Sequence, residues 1–230
     1  MLTARDLTVV YPDGTKALDC ISFTMGENET IALVGENGAG KTSLLLAIVG
    51  IIGLTGGNLE VNGVFLSKKT LREVRRHIGL VFQNPDDQLF MPLIYEDIAF
   101  GCRNLGMTEA QVENMVDGTL GQLNIGHLRN RSSLKLSGGE KRLAAIAAVL
   151  AMEPSILMFD EPTAYLDPRA RRALEQTLNK LRHPKIVATH DMSFASGVCN
   201  RVIVLKGGKI VADGGPSLLM DSEFMRSCGL

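Results

Sequence analysis

The length, composition and charge of the chain exclude several classes of protein. It has 230 residues, 45% hydrophobic and 21% charged, which is enough to bury a substantial core and excludes a disordered chain. With 24 Lys plus Arg against 25 Asp plus Glu, the net charge of −1 disfavours a general nucleic-acid binder. The four cysteines are widely spaced without a C-x-x-C pair, which favours reduced thiols over disulfides or a zinc site. The longest apolar stretch, residues 44–54, is too short to span a membrane, so any membrane function requires a partner chain.

The N-terminal region is predicted to form strands, because apolar stretches alternate there with turn-forming residues. The predicted strands are Leu7–Val10, Ala17–Met25 and Thr30–Val34. A glycine-rich loop at 35–40 follows, and the apolar residues 41–52 predict a buried helix. A strand, a glycine loop and a helix in this order form a βα unit.

The middle of the chain is predicted to be helical, and the C-terminal part returns to alternating strands and helices. A strand at 78–82 precedes a helix at 108–120, which opens with Thr108 as N-cap and Gln111 three residues later. Further predicted elements are a continuous apolar strand at 156–159, a helix at 168–181, a strand at 185–189, and a hairpin of 202–205 with 209–211 around Gly207-Gly208. The sequence therefore predicts an α/β core, residues 1–85 and 155–230, with a helical insertion at 86–154.

Residues 35–42 match the phosphate-loop pattern G-x-x-x-x-G-K-[ST] between a predicted strand and a predicted helix. Glycines let backbone N–H groups turn inward around the β- and γ-phosphates, while Lys41 and the helix dipole add positive charge. The Thr42 hydroxyl is suited to Mg²⁺. The alternative is an ordinary glycine-rich turn with a solvated lysine. The predicted nucleotide-binding residues here are Gly35, Glu36, Asn37, Gly38, Ala39, Gly40, Lys41, Thr42 and Ser43.

Two carboxylates, Asp160 and Glu161, close the apolar strand that begins at Ile156. Neighbouring strand residues point to opposite faces, so the two side chains are expected to have different roles. Asp160 is predicted to hold Mg²⁺, and Glu161 is predicted to accept a proton from an attacking water. We expect Pro162 to restrict Glu161 to an extended backbone. The alternative is a charged turn after a buried strand.

Residues 136–140 read Leu-Ser-Gly-Gly-Glu and lead into a predicted helix at 141–152. Ser137 and Glu140 match an ordinary capping box, which is a sufficient structural explanation for both. It leaves the glycine pair unexplained, because each glycine in a helix costs about 1 kcal/mol relative to alanine. Close approach of a phosphate to this turn would account for the glycines. The residues alone support both interpretations equally.

The phosphate loop, residues 136–140 and residues 156–161 resemble, in this order and spacing, the nucleotide-binding domain of ABC ATPases, and the resemblance covers essentially the whole chain. It implies a P-loop NTPase core with a mostly parallel sheet, an N-terminal antiparallel β subdomain and an inserted α-helical subdomain. ATP would be the substrate and Mg²⁺ the cofactor. The second half of the site, Ser137, Gly138, Gly139 and Glu140, would come from another protomer.

The resemblance also implies roles for four further residues. Tyr11 would stack on adenine, and Gln83 would touch Mg²⁺. Asp167 would bind nucleotide as part of the D-loop, and His190 would lie near the γ-phosphate as a catalytic residue beside Glu161 and Lys41. Structural alternatives remain, since Tyr11 could simply end a strand, and Asp167 followed by proline is a good helix start in any protein.

Residues 83–90 resemble the corresponding segment of energy-coupling-factor ATPases, which serve importers of cobalt, nickel and vitamins. This implies three partners at the cytoplasmic face of the cell membrane: a second ATPase protomer, identical or paralogous, a transmembrane transporter subunit and a substrate-binding membrane component. The apolar residues that follow would receive the membrane subunit, although half of them could simply form the insertion's own core. These are Phe90, Leu93, Ile94, Tyr95, Ile98 and Phe100.

Two other functions fit parts of the sequence. An ABC ATPase that acts away from membranes, on nucleic acid or protein assemblies, would usually carry coiled-coil insertions, a fused second cassette or basic arms, and none is evident. A simple P-loop kinase or GTPase would leave residues 136–140 without a purpose.

Overall fold

The computed structural model describes all 230 residues, and they form two compact units. The first unit contains residues 1–80, 155–161 and 182–230, and the second contains residues 81–154 and 162–181. The helix at 168–180, expected in the α/β core, groups with the insertion because it packs against the helix at 138–150. None of the helices combines the length and apolarity that crossing a membrane requires.

The ten strands form two sheets. They are β1 (Leu2–Val10), β2 (Lys16–Met25), β3 (Thr30–Val34), β4 (Gly56–Val61), β5 (Val64–Phe65), β6 (Ile78–Val81), β7 (Ile156–Asp160), β8 (Lys185–Ala188), β9 (Arg201–Lys206) and β10 (Lys209–Gly214). The smaller sheet has the order β2-β1-β4-β5 with antiparallel pairs. The larger has the order β10-β9-β3-β8-β7-β6, in which β9, β3, β8 and β7 are parallel and β10 is antiparallel to β9.

The eight α-helices are divided equally between the units. The first unit holds α1 (Lys41–Ile48), α2 (Leu71–His77), α7 (Met192–Val198) and α8 (Ser222–Ser227), and the second holds α3 (Ile94–Asn104), α4 (Glu109–Gln122), α5 (Gly138–Leu150) and α6 (Pro168–Lys180). The predicted capping box at the start of α4 is confirmed, with Thr108 and Gln111 bonded in both directions. Helix α1 ends four residues earlier than predicted, because Gly50 adopts a left-handed φ of 65° and turns the chain.

The centre of the larger sheet explains the continuous apolar strands and positions the candidate site. Strands β3, β7 and β8 are buried along most of their length, as expected for parallel strands covered on both faces. Because they run in parallel, their carboxyl ends meet at one edge. The phosphate loop follows β3, Asp160 ends β7, and His190 comes two residues after β8. The predicted fold class, an α/β core with an antiparallel N-terminal sheet and a helical insertion, is confirmed.

Candidate functional site

The phosphate loop joins β3 to α1 and curves around its own lysine. Gly38 and Gly40 have φ values of 81° and 105°, which strongly favour glycine. The Lys41 ammonium donates hydrogen bonds to the carbonyls of Gly35 and Glu36, at 2.8 and 3.2 Å. The first N–H groups of α1 have no intrahelical acceptor, as at any helix start. The loop therefore gathers a cation and free N–H donors in one place, which suits a phosphate chain.

The hydroxyl of Thr42 lies against the carboxylate of Asp160. It is 3.1 and 2.9 Å from the two carboxylate oxygens, and Asp160 is buried. A hydroxyl and a carboxylate are the hard oxygen ligands that Mg²⁺ prefers. The donor set of this pair therefore fits a magnesium ion.

Glu161 is a buried carboxylate with two basic partners. Its Oε1 lies 3.7 Å from the ammonium of Lys41, and its Oε2 lies 2.8 Å from Nδ1 of His190. The backbone N–H of His190 also donates to Oε2, at 3.2 Å. Glu161 therefore contacts both of the other predicted catalytic residues, Lys41 and His190.

The expectation of an extended backbone at Glu161 is wrong, because its φ is 42°. The N–H of Glu161 donates to the carbonyl of Ala188 at 2.8 Å and so continues the pairing of β7 with β8 for one more residue. Together with the hydrogen bond from the His190 backbone N–H and the close contact of His190 Nδ1, this hydrogen bond outweighs the preference that the following proline imposes. Backbone of this kind typically costs ~1–3 kcal/mol and is often found at functional sites.

Tyr11 lies next to the phosphate-loop helix. It follows β1, is half-buried, and its hydroxyl is 2.9 Å from the hydroxyl of Ser43 in the first turn of α1. Both residues were predicted to bind nucleotide, but the contact between them was not predicted. The phenol ring is therefore tethered to the same turn that supplies Lys41 and Thr42.

Residues 136–140 form the start of α5 in the second unit. The capping box is confirmed, since the Ser137 N–H and hydroxyl donate to Glu140 Oε2 at 2.8 and 2.7 Å, and the Glu140 N–H donates to the Ser137 hydroxyl at 3.4 Å. These hydrogen bonds from Ser137 lower the pKa of Glu140 below its usual value. Glu140 is thus held by its own helix start.

The two glycines of this motif differ in their surroundings. A Cβ at Gly139 would lie 3.1 Å from the Cβ of Ala170 in α6, so helix packing accounts for this glycine. A Cβ at Gly138 would meet nothing closer than 3.9 Å, at Leu166 and Tyr165. Only Gly138 is left without a packing reason, and it is exposed at the helix start.

Asp167 and Gln83 also lie in the second unit. Asp167 caps α6, accepting from the N–H groups of Arg169 and Ala170 at 2.8 Å each, and these bonds lower its pKa. Gln83 follows β6 with an exposed side chain. The backbone carbonyl of Gln83 accepts a 2.6 Å hydrogen bond from Arg142. Arg142 is a fully buried residue of α5 that sequence analysis missed. The only sign of this buried residue in the sequence was an arginine in an alanine-rich predicted helix.

The apolar residues after Gln83 divide into core and surface. Ile94 and Ile98 are fully buried, whereas Phe90, Leu93 and Phe100 are exposed. The rings of Phe90 and Phe100 meet edge to face, with centroids 5.2 Å apart. This exposed apolar patch is defined by Phe90, Leu93 and Phe100.

Comparisons with known proteins cover nearly the whole chain. A sequence profile described as "ABC transporter" matches residues 18–164. The energy-coupling factor transporter ATP-binding protein EcfA of Carboxydothermus hydrogenoformans is 42% identical over 229 residues, 98% of this chain and 85% of that protein. The structure of CbiO1 from Clostridium perfringens, part of the ABC transporter complex CbiONQ, has a TM-score of 0.88 and 35% identity, and covers 98% of this chain and 93% of that one. A cassette solved as a dimer in a post-hydrolysis state with ADP and Pi has a TM-score of 0.83 and 26% identity, and covers 94% of this chain and 99% of its own.

Proposed function

This chain belongs to the ABC transporter family of ATP-binding proteins and is an ATPase, and we propose that it drives an importer of a metal ion or a vitamin. The similarity to EcfA and to CbiO1, each named as part of a transporter, supports this proposal. The segment at 83–90, which resembles energy-coupling-factor ATPases, supports it as well. The protein would act at the cytoplasmic face of the membrane, bound to a transmembrane subunit and a substrate-binding component.

The triphosphate of ATP would bind in the phosphate loop, residues 35–43. Its charge would be met by the free N–H groups at the start of α1 and by Lys41, which would exchange its two carbonyl partners for phosphate oxygens. Thr42 and Asp160 would hold Mg²⁺, and Gln83 is a third candidate ligand by resemblance. When bound, Mg²⁺ would neutralise charge on the phosphates.

The contact set of Glu161 is the observation that carries the proposed hydrolysis. Glu161 would take a proton from water as the water oxygen bonds to the γ-phosphorus and the bond to the ADP oxygen breaks. His190, held at 2.8 Å, would fix the direction of the carboxylate and lie close to the attacked phosphate. Lys41 would take up charge that develops on the phosphoryl oxygens.

A second protomer, identical or paralogous, would complete the site with residues 137–140. The exposed start of α5 and the uncrowded Gly138 support this proposal, because a helix start with open N–H groups is suited to an anion. The related cassette solved as a dimer also supports it. Asp167, which belongs to the D-loop by resemblance, would contribute to nucleotide binding.

Light scattering on the hydrolysis-deficient Glu161→Gln protein tests the shared site. Adding Mg·ATP should cause association, and Ser137→Arg should abolish it while leaving ATP affinity of the monomer unchanged, since the bulk is added at the partner's site. A protein that stays monomeric at saturating Mg·ATP would exclude self-pairing and leave a paralogous partner. If Ser137→Arg weakened ATP binding to the monomer as much as it weakened association, residues 137–140 would belong to the nucleotide site of their own chain.

Stacking of Tyr11 on adenine makes a separate prediction. Tyr11→Ala should weaken ATP binding by ~1–3 kcal/mol, the range for base–aromatic stacking. Tyr11→Phe removes the 2.9 Å hydrogen bond to Ser43 but keeps the aromatic ring, so it should bind ATP nearly as well as the wild type. Titration calorimetry on the three proteins checks this. Equal affinities for all three would leave Tyr11 with a structural role only.

The exposed apolar patch is the proposed contact with the membrane subunit. Phe90→Ser with Phe100→Ser should lose a membrane partner that copurifies with the wild type, while basal ATP hydrolysis persists. Phe65→Ser is the matched control, because Phe65 is an exposed phenylalanine of the first unit. Mass identification of the copurified chains checks the result. Nucleic acid or a water-soluble assembly in place of a membrane protein would instead support an ABC ATPase that acts away from membranes.

A further inference from the structure

The phosphate loop rests against the turn of the hairpin formed by β9 and β10. Gly208, in this turn, donates its N–H to the carbonyl of Ala39 at 3.1 Å. The carbonyl of Gly208 accepts the N–H of Asp19 from β2 at 2.8 Å. The turn is thus bonded to the phosphate loop on one side and to the smaller sheet on the other, about 170 and about 190 residues away in sequence.

We propose that Gly208 is a positioning residue for ATP, acting through the peptide bond between Ala39 and Gly40. A trans peptide is planar, so its C=O and its N–H point in opposite directions. Fixing the Ala39 carbonyl toward Gly208 therefore turns the N–H of Gly40 away from the hairpin. This orientation makes the Gly40 N–H available to the phosphates, and in that respect the inference rests on the proposed function of the loop.

The close packing at this point demands glycine at position 208. Its φ is 76°, and a Cβ there would lie 2.8 Å from the carbonyl oxygen of Ala17 in β2. The same oxygen would lie 2.6 Å from a Cβ at Gly40. The Ala17 carbonyl is therefore next to both glycines, and any displacement of the hairpin acts directly on the loop.

The adjacent glycine provides a matched control. Gly207 is in the same turn and also has a positive φ, 54°, but a Cβ there would meet nothing within 4 Å. Alanine at either position carries the strain of a left-handed backbone. Only alanine at 208 also pushes against β2, and so displaces the turn whose N–H is bonded to the phosphate loop.

The test compares Gly208→Ala with Gly207→Ala by titration with ATP and with inorganic triphosphate. Gly208→Ala should weaken both ligands roughly two- to tenfold, the range expected for one hydrogen bond, and Gly207→Ala should change neither appreciably. KM for ATP should rise in Gly208→Ala with kcat nearly unchanged, because the lost contact serves binding. A purely structural role would lower the unfolding midpoint of both variants without moving either affinity, and would overturn the proposal.

Two further measurements keep the outcomes separate. Lys41→Ala should weaken triphosphate binding, and unchanged binding would refute the proposed phosphate site itself. If Lys41→Ala weakens triphosphate binding but Gly208→Ala does not, only the proposed role of Gly208 is refuted. If Gly208→Ala does not fold, residues 199–230 can be synthesised and ligated at Cys199 with glycolic acid in place of Gly208, which replaces the donating N–H by an ester oxygen and adds no side chain. This ester should show the same loss of triphosphate affinity, and unchanged affinity would refute the proposal.

Discussion

Replacing Glu161 by glutamine tests the proposed general base with almost no change in shape. The amide oxygen of glutamine can still accept the backbone N–H of His190, now 3.2 Å from Oε2. What is lost is the negative charge beside Lys41 and His190, at 3.7 and 2.8 Å, and the ability to take a proton from water. The variant therefore separates proton transfer from the packing of the site.

The expected loss follows from the usual contribution of a positioned general base. Such a group supplies ~10²–10⁴ in rate, which corresponds to roughly 3–5 kcal/mol of activation free energy. ATP affinity should stay nearly intact, because Lys41 keeps its charge and gains freedom to meet the phosphates. We therefore expect a large fall in kcat without a matching rise in the dissociation constant.

Phosphate release under single-turnover conditions measures the chemical step, and titration calorimetry measures ATP binding. Glu175→Gln is the matched control, because Glu175 is a carboxylate of α6 whose ion-pair partner is Arg171 at 3.8 Å, and it should hydrolyse ATP like the wild type. Turnover above a third of the wild-type rate in Glu161→Gln would refute the base assignment. An equal loss of binding and turnover would show that Glu161 acts by holding Lys41.

Three other predictions concern stability and reactivity. Met158→Ala, at a fully buried site in β7, should lower the free energy of unfolding by ~2–5 kcal/mol, whereas Met220→Ala, at a residue 82% exposed, should change it by less than about 0.5 kcal/mol in urea titrations. Iodoacetamide should alkylate only Cys20 in the folded protein at pH 8, which mass spectrometry would show as a single adduct. The other three cysteines are buried, and burial raises the pKa of Cys199 to about 12. Several adducts before unfolding would contradict the structure. Burial raises the pKa of Asp97 above its ordinary value of 3.8, so its contribution to stability is full below that pH and is lost as the pH rises through the folded-state pKa. Asp97→Asn should therefore gain stability relative to the wild type as the pH rises from about 3.8, and a difference that stays constant with pH would refute this.

Local sequence patterns predicted the chemistry of the site and most of the fold. The phosphate loop, the acidic pair after β7 and the capping boxes at Thr108 and Ser137 are local patterns, in which residues a few positions apart specify one backbone geometry. The continuous apolar strand at Ile156 is local too, because burial on both faces leaves no alternation. Such features require no knowledge of distant residues.

Contacts between residues far apart in the chain could not be predicted from local patterns. The local rule for a residue before proline predicted the wrong backbone at Glu161, because hydrogen bonds with Ala188 and His190 determine it. The division of the apolar segment into a buried face and the exposed patch depended on how α3 packs. Gly208 shows the same limit most clearly: in the sequence it is one of two glycines in a hairpin turn, and only the approach of Ala39 and Ala17 distinguishes it from Gly207. Long-range packing brings these backbones together, and no local pattern encodes it.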